Sequence, residues 1–285
     1  MHKTEGAYRN QKTGALRSAS LRFFRAASHP DVRQDRMAAI IIDDLGHDLE
    51  MAEKFLALKL PLTYSVLPYR HYSEALSKKI CERGGEVLLH VPLEPRDYPE
   101  VNPGAGCLLT SMGREAIQSE INDQIDSLPC CAGVSSYMGS SFTESVAPMT
   151  WMLAVIRERG LFFVDSLTTP ESVAGRVATA RRLPWAQRSH FLDEQRTVDY
   201  VVRQLCALAD SALQNGWALG IGHPFEETLQ ALPRGMAALA EKGIRLVPVS
   251  ELTLQERLPQ RESSVLSAGK GDGSDHPAAP KRQPS

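Results

Sequence analysis

The stretch AAIIIDDLGHD, residues 38–48, holds the side chains whose types and spacing are best suited to chemistry. A run of apolar residues leads directly into the adjacent carboxylates of Asp43 and Asp44, which repel each other when both are ionised. In a cleft, such a pair needs a cation or a hydrogen-bond network to compensate its charge, and a divalent metal is one such cation. With Asp44 bound to a metal, Asp43 would be free to act as a base on a water that the metal acidifies.

Two histidines extend this interpretation, and each candidate has an ordinary alternative. His90, in LLHVPLEP, is suited to bind zinc, but a histidine at an apolar strand end is also typical of a hydrogen-bonded core. His223 stands in GIGHP, where the glycines and the proline are equally typical of a structural turn. The acidic pair itself is also typical of a helix cap, because a helix that begins near Asp48 favours negative charge at its start. These residues alone leave both interpretations open.

Short apolar runs alternate with longer amphipathic stretches along most of the chain. The runs predict strands at residues 37–43, 62–68, 86–92, 132–138, 161–165, 189–193, 217–224 and 244–250. The amphipathic stretches predict helices at residues 48–59, 71–83, 113–127, 145–159, 195–215 and 226–242. Strands and helices that alternate this often indicate an α/β protein with a parallel sheet buried on both faces.

Polar side chains gather at the carboxyl ends of these predicted strands. They are Asp43, Asp44, Tyr69, His90, Tyr137, Asp165, Asp193, His223 and Ser250. In a parallel β/α barrel all these ends open on one face, which is where catalytic groups lie. The pattern therefore predicts that two histidines and several aspartates meet at one mouth of a barrel.

Composition excludes some classes of function. The net charge of −2 gives no basic field for nucleic acid. The five cysteines form no CxxC pair and are odd in number, so we expect free thiols rather than a disulfide framework. No window is long and apolar enough for a transmembrane helix, and no secretory signal is visible, which by itself predicts a cytoplasmic protein. Oligomeric state is not indicated.

The two ends of the chain differ from its middle. Residues 1–36 are rich in Lys and Arg with little hydrophobic periodicity, and we predict a disordered basic arm. Residues 259–285 are rich in Ser, Gly and Pro, and we predict a disordered tail. Residues 37–258 are then expected to form one folded domain.

Six segments in a fixed order carry a resemblance to a known family. They are IIIDDLG, EVLLHVPLEP, GVSSYMGSSFT, LFFVDSLTT, FLD and GIGHP. Together they resemble the divergent polysaccharide deacetylases, a distant branch of the carbohydrate esterase family 4 enzymes, which are metal-dependent hydrolases that remove acetyl groups from polysaccharides. The resemblance implies a distorted β/α barrel of about seven parallel strands, a divalent metal such as zinc, a polysaccharide or amino-sugar oligomer as substrate, and a periplasmic location.

The same resemblance implies roles for particular residues. Asp43 would be the general base, and Asp44 and His90 would be metal ligands. His223 would be the general acid that protonates the leaving amine, and Asp165 would be the carboxylate that orients it.

One departure from the family pattern bears on the metal site. Relatives usually read NNHMGS where this chain has SSYMGS, so Tyr137 stands where a third metal ligand is expected. Relatives commonly carry Tyr at the position of His47, and we hypothesise that His47 supplies the missing imidazole. The alternative is a catalytically impaired barrel that binds glycan or a protein partner.

Three more residues are predicted to contact substrate. They are Tyr137, which is also a candidate oxyanion donor, Ser136 and Arg96. Arg70, like Arg96, follows a predicted strand and could line a sugar cleft, although a solvated loop is the ordinary alternative for both.

Overall fold

The computed structural model describes residues 36–253, so all but the last residue of the predicted arm, and the whole of the predicted tail, lie outside the described residues. Strands and helices alternate along this part of the chain. The strands are β1 Met37–Leu45, β2 Thr63–Val66, β3 Glu86–Leu93, β4 Cys131–Met138, β5 Phe162–Asp165, β6 Trp185–Gln187, β7 His190–Phe191, β8 Trp217–Gly222 and β9 Arg245–Leu246. The helices are α1 Leu49–Ala57, α2 Ser73–Glu82, α3 Arg114–Asp126, α4 Val146–Glu158, α5 Ala174–Ala180, α6 Val198–Asn215, α7 Glu226–Glu241 and α8 Val249–Leu252.

The strands form one parallel sheet in the order β6-β5-β4-β3-β2-β1-β8-β7, with β9 paired to the start of β1. β6 and β7 are consecutive in the chain yet lie at opposite ends of this order. The two residues between them complete the link, because Arg188 donates its N–H to the carbonyl of Asp165 and Ser189 donates its N–H to that of Leu219. Counting β6 and β7 as one position, the sheet curls into a distorted barrel of seven parallel strand positions, as the family resemblance implied.

β1 pairs with β2, β8 and β9, and its side chains alternate between two apolar cores. Ala38, Ile40 and Ile42 belong to the core between the sheet and the helices. Met37, Ala39 and Ile41 belong to a second core inside the barrel, which residues of α8 close at the amino end. This alternation is the two-residue period of a strand buried on both faces.

Except for residues 244–250, the predicted elements are found with small shifts in their bounds, but three elements were missed: α5, β6 and the short α8. α5 has seven residues and contains Gly175, so it shows too little periodicity to predict a helix. β6 has three residues, fewer than an alternating pattern needs to be recognised.

One predicted strand is corrected. Residues 244–250 form only the short β9 and the start of α8, because Pro248 has no N–H to continue the ladder. The backbone N–H of Ser250 points to the carboxylate of Glu86, at the start of β3, at 3.2 Å. Ser250 therefore lies at the amino end of the barrel and not at the mouth.

Two other expectations concern the described residues. None of their helices is long and apolar enough to cross a membrane. All five cysteines are free thiols.

Candidate active site

The carboxyl end of β1 aims two consecutive acidic side chains at the same place. Asp43 continues the alternation of the strand and is buried, whereas the side chain of Asp44 remains 38% exposed. Asp44 has a φ of 59°, in the left-handed region that Asp tolerates better than most residues. The pairing of β1 with β2 is irregular between Ile42 and Leu45. This local break in the strand lets neighbouring carboxylates share one site.

His90, on β3, faces both carboxylates with the same ring nitrogen. Its Nε2 lies 3.2 Å from Oδ1 of Asp44 and 3.7 Å from Oδ2 of Asp43. Its Nδ1 lies 2.9 Å from the hydroxyl of Ser135, which in turn is 2.6 Å from the hydroxyl of Ser65. The hydroxyl pair therefore fixes the ring, and Nε2 is left to face the acids. The meeting of Asp44 and His90 predicted from the sequence is observed.

His223, just after β8, is arranged in the same way from the other side. Its Nε2 lies 3.8 Å from Oδ2 of Asp44, and its Nδ1 lies 2.8 Å from Oδ1 of Asp193. The other oxygen of Asp193 accepts hydrogen bonds from the backbone N–H of His223 and the hydroxyl of Thr228. Asp193 thus holds both the ring and the backbone of His223.

Aromatic rings enclose the imidazole of His223. The ring centroid of Phe191 lies 5.1 Å away and that of Phe225 lies 5.5 Å away. Arg188 lies over the ring of Phe191 at 4.9 Å, and Arg196 lies over that of Phe225 at 3.7 Å. This packing restricts the orientation of His223 beyond what one hydrogen bond would do.

The carboxylate that orients His223 is a correction to the sequence analysis. Asp165 was expected there, but it accepts hydrogen bonds from the hydroxyl of Ser172 at 2.7 Å and the N–H of Leu167 at 3.0 Å. It also lines a separate cavity of about 440 Å³ that extends to Trp185. Burial raises the pKa of Asp165. The contact expected of Asp165 is made by Asp193.

Asp193 had been noticed only as one of several residues at strand ends. The pairing of Phe191 with Ile221 places residue 193 beside residue 223, two positions further along both strands. The FLD segment was the available signal, but nothing in the sequence indicates that β7 pairs with β8.

The two acids of the pair have pKa values displaced in opposite directions. Burial raises the pKa of Asp43, and the charges of His90 and His223 oppose this rise without cancelling it. Burial also acts to raise the pKa of Asp44, but the hydrogen bond and charge of His90, with the charge of His223, outweigh it and lower that pKa. Asp43 therefore takes up a proton more readily than Asp44, which suits a base beside a charged ligand.

Both histidines have raised pKa values. Burial acts to lower the pKa of His90, but the charge of Asp43 and the hydrogen bond to Asp44 outweigh burial and raise that pKa. Burial likewise acts to lower the pKa of His223, and the hydrogen bond and charge of Asp193 more than compensate. The acids thus favour the protonated form of each ring.

The donor set suits a divalent cation in its chemistry but is incomplete in its geometry. Among residues 36–253, no group of three or more His, Cys, Asp or Glu side chains forms a ready metal site. Asp44 and His90 do have suitable spacing, since their 3.2 Å separation is close to the roughly 3.3 Å between neighbouring donors of a tetrahedral zinc site. Oδ1 of Asp43 is buried without a hydrogen-bond partner in the described part of the chain. The residues present therefore fit a metal through two donors, with the third still to be supplied.

His47 and Tyr137 are the candidates that the departure from the family pattern singled out. His47 is exposed, and its charge helps to lower the pKa of Asp44. Tyr137, on β4, has its ring centroid 5.1 Å from that of His90. Burial and the charge of Asp44 raise the pKa of Tyr137, so its hydroxyl keeps its proton and can donate a hydrogen bond.

The other two predicted substrate contacts are engaged within the protein. The hydroxyl of Ser136 accepts a hydrogen bond from the N–H of Ser166 at 3.0 Å. The guanidinium of Arg96 forms ion pairs with Glu144 and Glu171. A sugar would have to compete with these contacts.

A cavity of about 1260 Å³ opens at the other end of the barrel. Leu62, Glu86 and Val87, at or next to the starts of β2 and β3, line it together with Pro248 and Ser250. It is remote from the acids and histidines described above, so the site is located by its chemistry and not by the volume of a cavity.

Comparisons with known proteins find a matching family model, two similar sequences and a similar fold. The family model described as divergent polysaccharide deacetylase matches residues 40–253. An uncharacterized protein of Haemophilus influenzae is 29% identical over 228 residues, which are 80% of each chain. The uncharacterized protein YibQ of Escherichia coli is 28% identical over 227 residues, which are 80% of this chain and 69% of that one. The crystal structure of uncharacterized protein ATU2773 from Agrobacterium tumefaciens is 27% identical with a TM-score of 0.73, and the match covers 76% of this chain and 89% of that chain.

Proposed function

This chain belongs to the divergent polysaccharide deacetylase family, and we propose that it is a metal-dependent hydrolase that removes acetyl groups from a polysaccharide or amino-sugar oligomer. One observation carries the proposal. The carboxylate of Asp44 faces Nε2 of both His90 and His223, while hydrogen bonds at Nδ1 fix each ring. Rings held in this way keep one nitrogen directed at a shared point, as metal-binding and catalytic histidines require.

Asp44 and His90 are the proposed ligands of the metal, and His47 is retained as the proposed third ligand because it follows on the same loop. Zinc is the first candidate, since it accepts imidazole and carboxylate donors together. A bound divalent cation would acidify a water molecule and polarise the acetyl carbonyl.

Asp43 is proposed as the general base. Its Oδ1 is free of other hydrogen bonds in the described residues, and burial raises its pKa, which makes it a better proton acceptor than an exposed carboxylate. His223 is proposed as the general acid. Because Asp193 occupies its Nδ1, Nε2 is the atom that would deliver the proton to the leaving amine. Tyr137 is proposed to donate a hydrogen bond to the developing oxyanion.

A second candidate function is a barrel that binds glycan without hydrolysing it. The observation in its favour is Tyr137, which lies against His90 where the family pattern has a further histidine. Loss of that ligand would weaken the metal site while leaving the cleft intact.

The test is acetate release from N-acetylglucosamine oligomers or peptidoglycan fragments, with zinc, cobalt or nickel supplied. We expect release by the parent protein and a loss of about 100-fold or more in Asp43→Asn, which removes the base but not the ligands. Metal content, measured on the same samples, should stay near the parent value in Asp43→Asn and fall in His47→Ala.

Two outcomes would contradict these proposals. No release with any metal, together with saturable glycan binding, would favour the binding barrel. Unchanged metal content in His47→Ala would remove His47 from the ligand set and leave the other assignments in place.

A further inference from the structure

Arg70 is an arginine at the mouth whose charge no carboxylate of the described residues neutralises by an ion pair. It follows β2, and its Nη2 donates a hydrogen bond to the carbonyl of Pro103 at 3.0 Å. Its Nε is buried with no hydrogen-bond partner in the described part of the chain. Arg96, the arginine singled out from the sequence, differs in this respect because Glu144 and Glu171 neutralise it.

Two glycines with left-handed backbones make room for Arg70. A Cβ on Gly46 (φ 120°) would lie 3.2 Å from Cβ of Arg70, and one on Gly104 (φ 99°) would lie 2.9 Å from its Nη2. The side chain of Arg70 therefore lies between the loop that follows Asp44, which faces its Cβ, and the loop that follows β3, which faces its guanidinium. Both loops belong to the rim of the candidate active site.

The side chain of Arg70 lies close to the loop that follows the acidic pair, because a Cβ on Gly46, two residues after Asp44, would lie 3.2 Å from its Cβ. Its charge acts to lower the pKa of Tyr137, against the larger effect of burial and that of Asp44. The ring of Tyr137 is in turn 5.1 Å from the ring of His90. The packing of Arg70 against Gly46 places its side chain next to the loop of the acidic pair, where a sugar unit adjacent to the acetylated one would bind.

Tyr69, the residue before Arg70 in the chain, has an exposed aromatic side chain. Its φ of 59° is rare for a bulky residue, and its side chain is on the surface, with the residue 46% exposed. Its hydroxyl donates to the carboxylate of Glu120 at 3.1 Å, and the amide of Gln124 donates to the same oxygen. The carboxylate of Glu120 therefore accepts hydrogen bonds from Tyr69 and Gln124, and among the described residues it forms no ion pair with Arg70.

We propose that Arg70 and Tyr69 form a subsite for a carboxylate-bearing sugar unit adjacent to the acetylated one. Arginine presents five N–H donors in a planar fork that matches a carboxylate, and one hydrogen bond to Pro103 leaves most of that capacity unused. The ring of Tyr69 offers an apolar face to the sugar. The position of the subsite next to an acetylated unit rests on the proposed deacetylase function. Binding of the carboxylate-bearing unit can nevertheless be measured without turnover.

The experiment compares two versions of one oligosaccharide, in which the unit next to N-acetylglucosamine carries either a free carboxylate or its methyl ester. Affinity is measured by calorimetry with the unmodified protein, and acetate release is followed separately. We expect the free acid to bind about 10- to 100-fold more tightly than the ester, as a charge-assisted hydrogen bond predicts. Equal binding of acid and ester by the unmodified protein would overturn the subsite.

Variants then assign the effect. Arg70→Gln should abolish the preference for the acid and leave binding of the ester nearly unchanged, whereas Arg70→Lys should keep part of it. Arg83→Gln is the matched control, because Arg83 is exposed after α2 and lines the cavity at the opposite end of the barrel. A preference for the acid that persists in Arg70→Gln would also overturn the proposal.

The two proposals fail in different ways. A preference for the acid without acetate release contradicts the deacetylase function and supports the subsite. Acetate release at equal rates from acid and ester, with equal affinity, supports the function and contradicts the subsite.

Discussion

In each of the two imidazoles of the site, Nδ1 is held by a hydrogen bond within the protein and Nε2 faces the acidic pair. Ser135 anchors His90 and Asp193 anchors His223, and the two anchors differ in charge. A neutral hydroxyl fixes orientation alone, whereas a carboxylate also favours the protonated ring. This difference supports a ligand role for His90 and an acid role for His223.

Asp193→Asn is expected to lower acetate release by about 10- to 100-fold, the usual cost of losing a carboxylate that holds a functional histidine. Asn keeps the shape but removes the charge that raises the pKa of His223. Because a general acid is active only while protonated, the loss of activity on the alkaline side should begin at a lower pH in this variant. The measurement is the pH–rate profile of the parent and the variant.

Asp165→Asn is the matched control for this prediction. Asp165 is also a buried strand-end aspartate, but its partners are Ser172 and Leu167. The Asp165→Asn variant should lose activity on the alkaline side at the same pH as the parent protein. A shift in Asp165→Asn, or none in Asp193→Asn, would return the orienting role to Asp165.

At the scale of elements, a single backbone irregularity in β1 makes the acidic pair usable. A regular strand would send the side chains of consecutive residues to opposite faces. The left-handed φ of Asp44 interrupts this alternation, so its carboxylate faces His90 together with that of Asp43. Backbone conformation is thus part of the site.

Asp44→Asn and Asp44→Val separate this backbone role from the loss of charge. Both variants remove the carboxylate, but only the β-branched valine is poorly tolerated at positive φ. We expect the valine variant to unfold with a free energy about 1–2 kcal/mol lower than that of the asparagine variant. Urea unfolding of the two metal-free variants measures the difference, and equal stabilities would show that the backbone at this position is not strained.

At the scale of the whole molecule, the site joins parts of the barrel that are distant in the chain. Asp44 is on β1, His90 is on β3 and His223 follows β8, so the groups meet only when the sheet curls. β6, β7 and the residues between them hold that curvature by bonding to β5 at one end and β8 at the other. A ligand that contacts these groups together binds the folded state alone.

Zinc is therefore expected to stabilise the protein, by about 2.7 kcal/mol when its free concentration is 100 times its Kd. The melting temperature of the parent should rise on addition of zinc and return when a chelator removes it. The double variant Asp44→Asn/His90→Gln, which lacks both proposed ligands, should show no such shift. An equal shift in the double variant would place the bound zinc elsewhere.

The sequence by itself determined the fold class and most elements, because both follow from local patterns. The buried run of β1 and the amphipathic stretches of the longer helices each express a period within a few residues. The sequence also predicted that the mouth of the barrel holds Asp43, Asp44, His90 and His223, because the carboxyl ends of parallel strands share a face.

Only the tertiary structure decided which partners those side chains have. Pairing of β7 with β8 places Asp193, rather than Asp165, against His223. Ion pairs across loops engage Arg96, whereas Arg70 has none among the described residues. The chain forms a helix after Pro248, and Ser250 therefore lies at the amino end of the barrel rather than at the mouth. Such contacts join residues far apart in sequence, and their choice depends on strand register and loop packing, which no local period encodes.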